Sequence, residues 1–328
     1  MKKESIVCGI DIGGTNTVIG FITRNGNCIK EISLPTNSGL TPNEYFKNIS
    51  GLIQETLSTI SSNFNLVGIG IGAPNANYQK KTIENPPNLN WGIVDVSKTM
   101  KKYFDLPITI INDANAAAIG ELHFGAGKGM ENFILITLGT GLGGGIVVNG
   151  EIVNGRNGIA GEIGHIICEE GGRQCKCGLK GCLETYVSAT GIVTTAKELL
   201  NNSNLPSVLR KVDVSSIDSK LIFEAALDDD VLALNAFELM GKALGTQLAV
   251  IVSIINPEAI FLLGGLAGAG ELIIEPTKKY MEKNLFTPFK NKIKILPSGL
   301  NNVNAAVLGA GALIWNELEN HEKEFVVN

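Results

Sequence analysis

Four residues of the types that bind zinc lie close together in the chain: His165, Cys175, Cys177 and Cys182. Zinc accepts three cysteine thiolates and one histidine in a tetrahedral arrangement, and four protein ligands make a closed, structural site. A disulfide is the alternative use of the cysteines. The single residue between Cys175 and Cys177 and the reducing conditions of a cytosol both argue against it. The pattern therefore predicts one structural zinc ion.

Two short turns rich in glycine and threonine are candidates for phosphate binding. They are the runs Gly13-Gly14-Thr15-Asn16 and Gly139-Thr140-Gly141. The second run begins a G-x-G-x-x-G pattern, but a dinucleotide site needs a helix to follow, and here a strand and an Asn-Gly pair follow, so we reject that interpretation. Backbone N–H groups and threonine hydroxyls in such turns can converge on phosphate oxygens. The alternative is a pair of ordinary tight turns.

Asn112 and Asp113 follow an apolar strand predicted over Ile108 to Ile111, at the point where the chain enters a helix. Ligands of α/β sheets bind outside the carboxyl ends of the strands, so both side chains are candidates for ligand binding. The alternative is that the aspartate is a helix N-cap, and the two roles are compatible.

Two glutamates flank the predicted metal site. Glu162 lies three residues before His165, and Glu184 lies two residues after Cys182. If the metal binds, both carboxylates extend from one rigid structure, which suits hydrogen bonding to the hydroxyls of a polyol. The alternative is two solvated glutamates on the surface.

The elements that must position these residues occur twice. Residues Ile6 to Leu34 predict a strand, the first glycine turn, a second strand, Asn25-Gly26 and a third strand, and residues Phe133 to Val153 repeat that order. Two copies about 125 residues apart predict an internal duplication with two lobes and a cleft between them. A helix is predicted over about 42 to 62, because Thr41-Pro42-Asn43-Glu44 supplies an N-cap, a proline at the first helical position and a capping-box glutamate. A second helix is predicted over Val231 to Ile255.

Composition excludes several classes of protein. The residues are 44% hydrophobic and 18% charged, as in soluble globular proteins, which argues against a disordered, fibrous or coiled-coil protein. The length of 328 residues fits one large or two ordinary domains. The net charge of −5, without a basic stripe, argues against nucleic acid as a partner. The first apolar stretch is interrupted by Gly9 and Asp11, and Ala243 to Pro257 is too short to cross a bilayer, so we expect neither a signal peptide nor a membrane span. The expected location is the cytoplasm.

Several of these motifs, in this order, resemble the ROK family of bacterial sugar kinases and sugar-responsive repressors. They are Asp11-Ile12-Gly13-Gly14-Thr15-Asn16, Gly72-Ala73-Pro74, Asn112-Asp113-Ala114-Asn115, Leu138-Gly139-Thr140-Gly141, Gly161-Glu162-Ile163-Gly164-His165 and the run from Cys175 to Glu184. The resemblance extends from about residue 6 to residue 311, and the stretch from Gly161 to Gly191 is most similar to the glucokinases. The sequence departs from the family pattern at Asn75, where many members carry glycine.

The resemblance implies an α/β protein with the duplicated, actin-like ATPase (ribonuclease H-like) fold. We expect a small lobe over residues 1–115, with a C-terminal helix at about 305–328 packed back on it. A large lobe over 116–304 would carry the zinc-binding loop 165–182. Family repressors have an additional N-terminal helix-turn-helix domain, and because the first predicted strand starts at residue 6, we expect none here.

The resemblance also implies roles for the candidate residues. Asp113 would be the general base, and Asp11 would lie beside the Mg²⁺ that accompanies ATP. Sugar hydroxyls would be bound by Gly72, Asn112, Asp113, Glu162, His165 and Glu184. The nucleotide would be bound by Asp11, Gly13, Gly14, Thr15, Asn16, Thr140 and Gly141, with Gly264 and Gly265 in the adenosine loop. His165 would use one ring nitrogen for zinc and the other for the sugar.

These inferences predict an ATP-dependent hexose kinase, a glucokinase that phosphorylates the 6-hydroxyl of glucose. The alternatives within the family are an N-acetylglucosamine or N-acetylmannosamine kinase and a fructokinase. An alternative from another class is a sugar-sensing regulator without enzymatic activity. The expected partners are the sugar, ATP and further copies of the chain in a homodimer or homotetramer.

Overall fold

The structure is a computed structural model, and it describes residues 3–86, 89–156, 158–300 and 303–326. The strands are β1 (Glu4–Ile12), β2 (Asn16–Thr23), β3 (Cys28–Pro35), β4 (Phe64–Ala73), β5 (Ala76–Asn77), β6 (Thr82–Glu84), β7 (Ile93–Asp95), β8 (Ile108–Asn112), β9 (Phe133–Leu138), β10 (Leu142–Val148), β11 (Glu151–Ile152), β12 (Ala259–Leu263) and β13 (Lys294–Pro297). The helices are α1 (Pro42–Ile60), α2 (Val96–Met100), α3 (Asp113–Phe124), α4 (Ala189–Asn202), α5 (Ser219–Leu227), α6 (Val231–Ile255), α7 (Glu271–Asn284) and α8 (Ala305–Val326).

The chain divides into two compact units. Unit 1 contains Met1–Met130, Gly150–Gly161 and Gly299–Asn328, and unit 2 contains Glu131–Asn149 and Glu162–Ser298. The expected boundary between residues 115 and 116 would cut α3 within its first turn. Unit 1 instead contains the whole of α3 and continues to Met130. The expected C-terminal helix is α8, which lies in unit 1; of its predicted range, residues 327 and 328 lie outside the described residues.

The main sheet of unit 1 has the strand order β3-β2-β1-β4-β8. The first three strands are antiparallel neighbours, whereas β4 runs parallel to both β1 and β8. The parallel strands β1, β4 and β8 therefore bring their carboxyl ends, with Asp11, Gly72 and Asn112, to the same edge. The core beneath them is rich in isoleucine and phenylalanine from the strands and from α1.

The sheet of unit 2 repeats this topology. Strands β10, β9, β12 and β13 lie side by side in that order, with β10 antiparallel to β9 and with β12 parallel to both β9 and β13. This is the pairing of β2, β1, β4 and β8 in unit 1. The duplication predicted from the two glycine turns is confirmed.

Helices α1 and α6 each begin directly after a residue whose side chain caps the helix. Thr41 and Glu44 form both halves of a capping box at the start of α1, with Pro42 in the first helical position, as the sequence predicts. Asp230 accepts N–H bonds from Leu232 and Ala233 at the start of α6. Helix α6 ends where Asn256 takes a left-handed conformation with φ of 49°.

Helix α6 has the bounds predicted from the sequence and is longer than the apolar stretch Ala243 to Pro257 that was considered as a membrane span. With 25 residues it is, among the described residues, the one helix long and apolar enough to cross a membrane by length and composition. Its inner residues, among them Phe237, Leu244 and Leu248, are buried in the core of unit 2, as in the core helix of a globular domain.

Candidate functional site

In unit 1, Asn112 rather than Asp113 caps α3. The side-chain Oδ1 of Asn112 accepts N–H bonds from Ala114 at 2.9 Å and from Asn115 at 3.2 Å. Asp113 is the first residue of the helix, and its Oδ1 accepts the same Ala114 N–H at 2.8 Å. The capping role that was the alternative for Asp113 therefore belongs mainly to its neighbour. The carboxylate of Asp113 lies at the carboxyl edge of the sheet.

The carboxyls of Asp113 and Asp11 are electrostatically linked. Burial raises the pKa of Asp113 above its usual range, against the opposing effect of the Ala114 N–H. Burial also raises the pKa of Asp11 to about 6, and the charge of Asp113 adds to this shift. Two carboxyls at one sheet edge whose pKa values are raised above those of ordinary aspartates suit proton transfer and cation binding.

Asn304 is a partner of Asp11 that sequence reasoning missed. Its Nδ2 donates to Asp11 Oδ2 at 3.0 Å, while its Oδ1 accepts the N–H of Val307 in the first turn of α8. The hydrogen bond lowers the pKa of Asp11 and so opposes the effect of burial. The cap of one helix therefore orients a carboxylate 293 residues away in the chain, and no local pattern signals such a contact.

The first glycine turn joins β1 to β2 beside these carboxyls. The N–H of Gly13 donates to the carbonyl of Asn16 at 3.0 Å and closes the turn, which leaves Thr15 and Asn16 exposed. Gly14 lies between Gly13 and Thr15. Gly72 lies in β4, where a Cβ would be 3.2 Å from that of Ala116, so glycine lets the first turn of α3 approach the sheet.

The departure at Asn75 has a structural explanation. Asn75 has φ of 51°, in the left-handed region that glycine favours and asparagine tolerates better than most residues. Its Nδ2 donates to the carbonyls of Glu84 and Asn85 at 3.2 and 3.0 Å. The residue that stands in place of glycine therefore keeps the turn.

In unit 2, the structure brings the four predicted zinc ligands together. The ligand atoms of His165, Cys175, Cys177 and Cys182 all lie within 4.8 Å of one another. Sγ of Cys175 is 3.8 Å from Nδ1 of His165, and the Sγ atoms of Cys177 and Cys182 are 3.6 Å apart. Tetrahedral zinc bound at its usual distances separates such ligands by about 3.5 to 3.8 Å. The cluster fits zinc in both donor type and spacing.

Glycines shape the backbone around this cluster. Gly178 and Gly181 have φ of 95° and 83°, and a Cβ at Gly181 would overlap the carbonyl of Glu169. The N–H of Cys175 donates to the carbonyl of Leu179 at 2.9 Å, which closes a tight turn that contains Cys177. Side chains larger than glycine would strain the loop at both positions.

The two glutamates that flank the metal cluster lie in different surroundings. Glu162 is exposed, and its Oε2 lies 3.9 Å from Nε2 of His165. Since Nδ1 of His165 faces the thiols, Nε2 is the nitrogen left for another ligand. Glu184 is half-buried, and its Oε2 accepts the N–H of Leu142 at 3.0 Å, directly after the second glycine turn.

The absence of a side chain at Gly141 leaves space for the Glu184 carboxylate. A Cβ at Gly141 would overlap the Glu184 carboxylate, so this glycine makes room for a side chain of its own unit. Thr190, which the sequence analysis did not select, donates from Oγ1 to the carbonyl of Thr140 at 3.1 Å. The second glycine turn is thus held by the first turn of α4.

Gly264 and Gly265 follow β12. Gly264 has φ of 109°, and a Cβ there would lie 2.5 Å from the carbonyl of Leu138, next to Gly139. A Cβ at Gly265 would meet no atom within 4 Å. The first glycine is therefore required by packing against the second glycine turn, whereas the second leaves room for a ligand.

The chain is similar to known proteins along almost its whole length. The ROK family model matches residues 7–317. The glucokinase of Halalkalibacterium halodurans is 36% identical, with 96% of each chain covered, and that of Thermotoga maritima is 31% identical, with 96% of this chain and 98% of that protein covered. The xylose repressor of Bacillus subtilis is 29% identical over 95% of this chain and 78% of its own length.

Solved structures give the same picture. The ROK family glucokinase from Streptomyces griseus in complex with glucose and AMPPNP has a TM-score of 0.79 and 32% identity over 94% of this chain and 98% of that chain. A ROK family transcriptional regulator, a homologue of the E. coli MLC protein, has a TM-score of 0.84 and 25% identity over 96% of this chain and 81% of that chain. The predicted α/β, actin-like ATPase (ribonuclease H-like) fold is confirmed.

Proposed function

The chain belongs to the ROK family, and we propose that it is an ATP-dependent sugar kinase that transfers phosphate to the 6-hydroxyl of glucose. The observation that carries this proposal is the Asp113 carboxylate, which lies at the carboxyl edge of a sheet with a raised pKa and with Asp11 nearby. The similarity to several glucokinases along the whole chain supports the choice of sugar.

Asp113 would accept the proton of the attacking hydroxyl. Phosphoryl transfer needs positioning and neutralisation of charge more than covalent help, so a fixed carboxylate is a sufficient base. Asn112 uses Oδ1 as the helix cap, which leaves its Nδ2 to donate to a sugar oxygen. Glu162, His165 and Glu184 would be the other donors and acceptors for sugar hydroxyls.

The chain also carries groups that match Mg²⁺ and the phosphates of ATP. Asp11, held by Asn304, offers a carboxylate of the kind that binds Mg²⁺, and the ion would neutralise charge on the transferred phosphate. The runs Gly13-Gly14-Thr15-Asn16 and Thr140-Gly141 offer N–H groups and hydroxyls to phosphate oxygens. Gly265 leaves space for the adenosine.

Zinc is the metal that the cysteine cluster fits, and its role would be structural. Four protein ligands fill the tetrahedral positions, so the ion would fix the loop from which Glu162, His165 and Glu184 extend. We place the kinase in the cytoplasm, where such thiols stay reduced. The homodimer or homotetramer stays a prediction, which light scattering after gel filtration tests.

Activity should fall as the pH drops through about 6. Because the pKa values of Asp11 and Asp113 are raised, these carboxyls take up protons at a higher pH than ordinary aspartates, and the protonated forms can neither bind a cation nor accept a proton. The measurement is kcat/KM for the sugar against pH. In Asn304→Ala the acidic limb should move to higher pH, while Asn65→Ala, on the surface of the same unit, serves as the control. A profile that is flat across pH 6 contradicts the assignment.

Glucose should be preferred over analogues that lack a hydroxyl. A buried partner left without its hydrogen bond costs about 1 to 3 kcal/mol, so kcat/KM for glucose should exceed that for 2-deoxyglucose by roughly 5- to 150-fold. N-acetylglucosamine and N-acetylmannosamine should be poorer substrates, since the acetamide needs additional volume. A coupled assay of ADP release under one condition makes the comparison. If either amino sugar or fructose is preferred, that sugar replaces glucose in the proposal.

A second candidate function is sugar sensing without catalysis, which the similarity to xylose repressors favours. ADP release in the presence of ATP and glucose separates the two functions. A chain that binds glucose in calorimetry yet turns over no ATP with any of these sugars is a regulator.

A further inference from the structure

Arg173 lies in the metal loop, residues 165–182, but is not one of the ligands. Only 14% of its side chain is exposed. Its guanidinium group has five N–H donors, and five acceptors surround it. They are Glu198 Oε1 at 3.0 Å from Nε, Thr185 O at 2.7 Å and Gly191 O at 3.2 Å from Nη1, and Thr195 Oγ1 at 2.9 Å and Glu198 Oε2 near Nη2.

Tyr186 fixes the same arginine from another side. The guanidinium carbon lies 4.4 Å from the centre of the tyrosine ring, and the tyrosine hydroxyl accepts the backbone N–H of Arg173 at 2.9 Å. At Gly172, a Cβ would overlap that hydroxyl. Both the backbone and the side chain of Arg173 are therefore set in one geometry.

Glu184 lies in the chain between two positions that are held by other groups. Cys182, two residues before it, belongs to the metal cluster, and the carbonyl of Thr185, directly after it, is bound by Arg173. The metal ligands join parts of the loop to one another. Arg173 instead ties the loop to α4, through Gly191, Thr195 and Glu198.

We propose that Arg173 is a positioning residue that fixes Glu184 for sugar binding, independently of the metal. This inference rests on the proposed function in one respect, that Glu184 binds the sugar. Lysine cannot replace arginine in this role, because a single ammonium group cannot reach acceptors that lie on several sides of a planar fork.

The test compares Arg173→Lys with Arg210→Lys. Arg210 is a matched control because its guanidinium donates to the carbonyls of Leu200, Ser203 and Leu205 at the other end of α4. Calorimetric Kd for glucose without ATP, KM for glucose and for ATP, zinc content and Tm are measured for both variants and the parent. Arg173→Lys should weaken glucose binding about tenfold, near the value of one hydrogen bond, with KM for ATP and one zinc per chain unchanged.

Arg210→Lys should lower Tm to a similar extent without changing Kd for glucose. The proposal is overturned if Arg173→Lys changes Kd for glucose no more than Arg210→Lys does, or if it loses the zinc. If Arg173→Lys does not fold, Glu198→Gln removes the charge that holds the guanidinium and should weaken glucose binding in the same direction; an unchanged Kd there also overturns it.

The Kd separates this inference from the proposed function. A parent chain that binds glucose but releases no ADP refutes the kinase proposal, and the change of Kd in Arg173→Lys still decides the role of Arg173. A parent chain that binds none of the sugars refutes both.

Discussion

Asp113→Asn is expected to lower kcat for the sugar by about 10²- to 10⁴-fold, the usual contribution of a positioned base. Asparagine retains the shape and the Oδ1 that accepts the Ala114 N–H, so α3 should start as before and both substrates should still bind. The amide lacks the basicity to accept the hydroxyl proton. Steady-state kinetics, with calorimetry for glucose, measure the two effects separately.

The control for this substitution is Asp105→Asn, the same change at an exposed position of unit 1. It should leave kcat unchanged. The charge of Asp113 also raises the pKa of Asp11, so any activity that remains in Asp113→Asn should show its acidic limb at lower pH. A loss of kcat of less than about tenfold in Asp113→Asn is smaller than the contribution of a positioned base. That result would contradict the catalytic role and leave Asp113 only a structural role at the start of α3.

Cys177→Ser is expected to abolish zinc binding and to lower kcat/KM for the sugar by at least about tenfold. Elemental analysis should find one zinc per parent chain and none in the variant after exposure to a chelator. Cys177 is exposed, so serine costs little packing, and a loss of sugar affinity would come from the metal. Without the ion, His165 and Glu184 lose the support that fixes them.

Cys168→Ser is the matched control, because this cysteine lies in the same loop and its thiol donates to the carbonyl of Gly181 rather than joining the cluster. It should retain zinc and activity. Metal-free protein that phosphorylates glucose with the parent KM contradicts the structural role of the ion.

Most of the fold could be predicted from sequence because its signals are local. The Thr41 and Glu44 capping box, the apolar strands and the two glycine turns depend on residues within a few positions of each other, and the structure has them where expected. The small sheet of β5, β6 and β7 was not predicted, since strands of two or three residues are too short to show a period.

The metal cluster was also determined by the sequence itself. Its ligands span one short loop in which Gly178 and Gly181 permit the necessary turns, so residue type and spacing are enough to bring His165 and the thiols together.

Only the tertiary structure decided how the candidate residues are held. It placed Asn304 on Asp11 and showed that Gly141 makes room for Glu184. Arg173 gained its role in the same way, through acceptors on α4. Such contacts join residues far apart in the chain, and they form only once packing has fixed where each segment lies, so residue type and spacing cannot specify them.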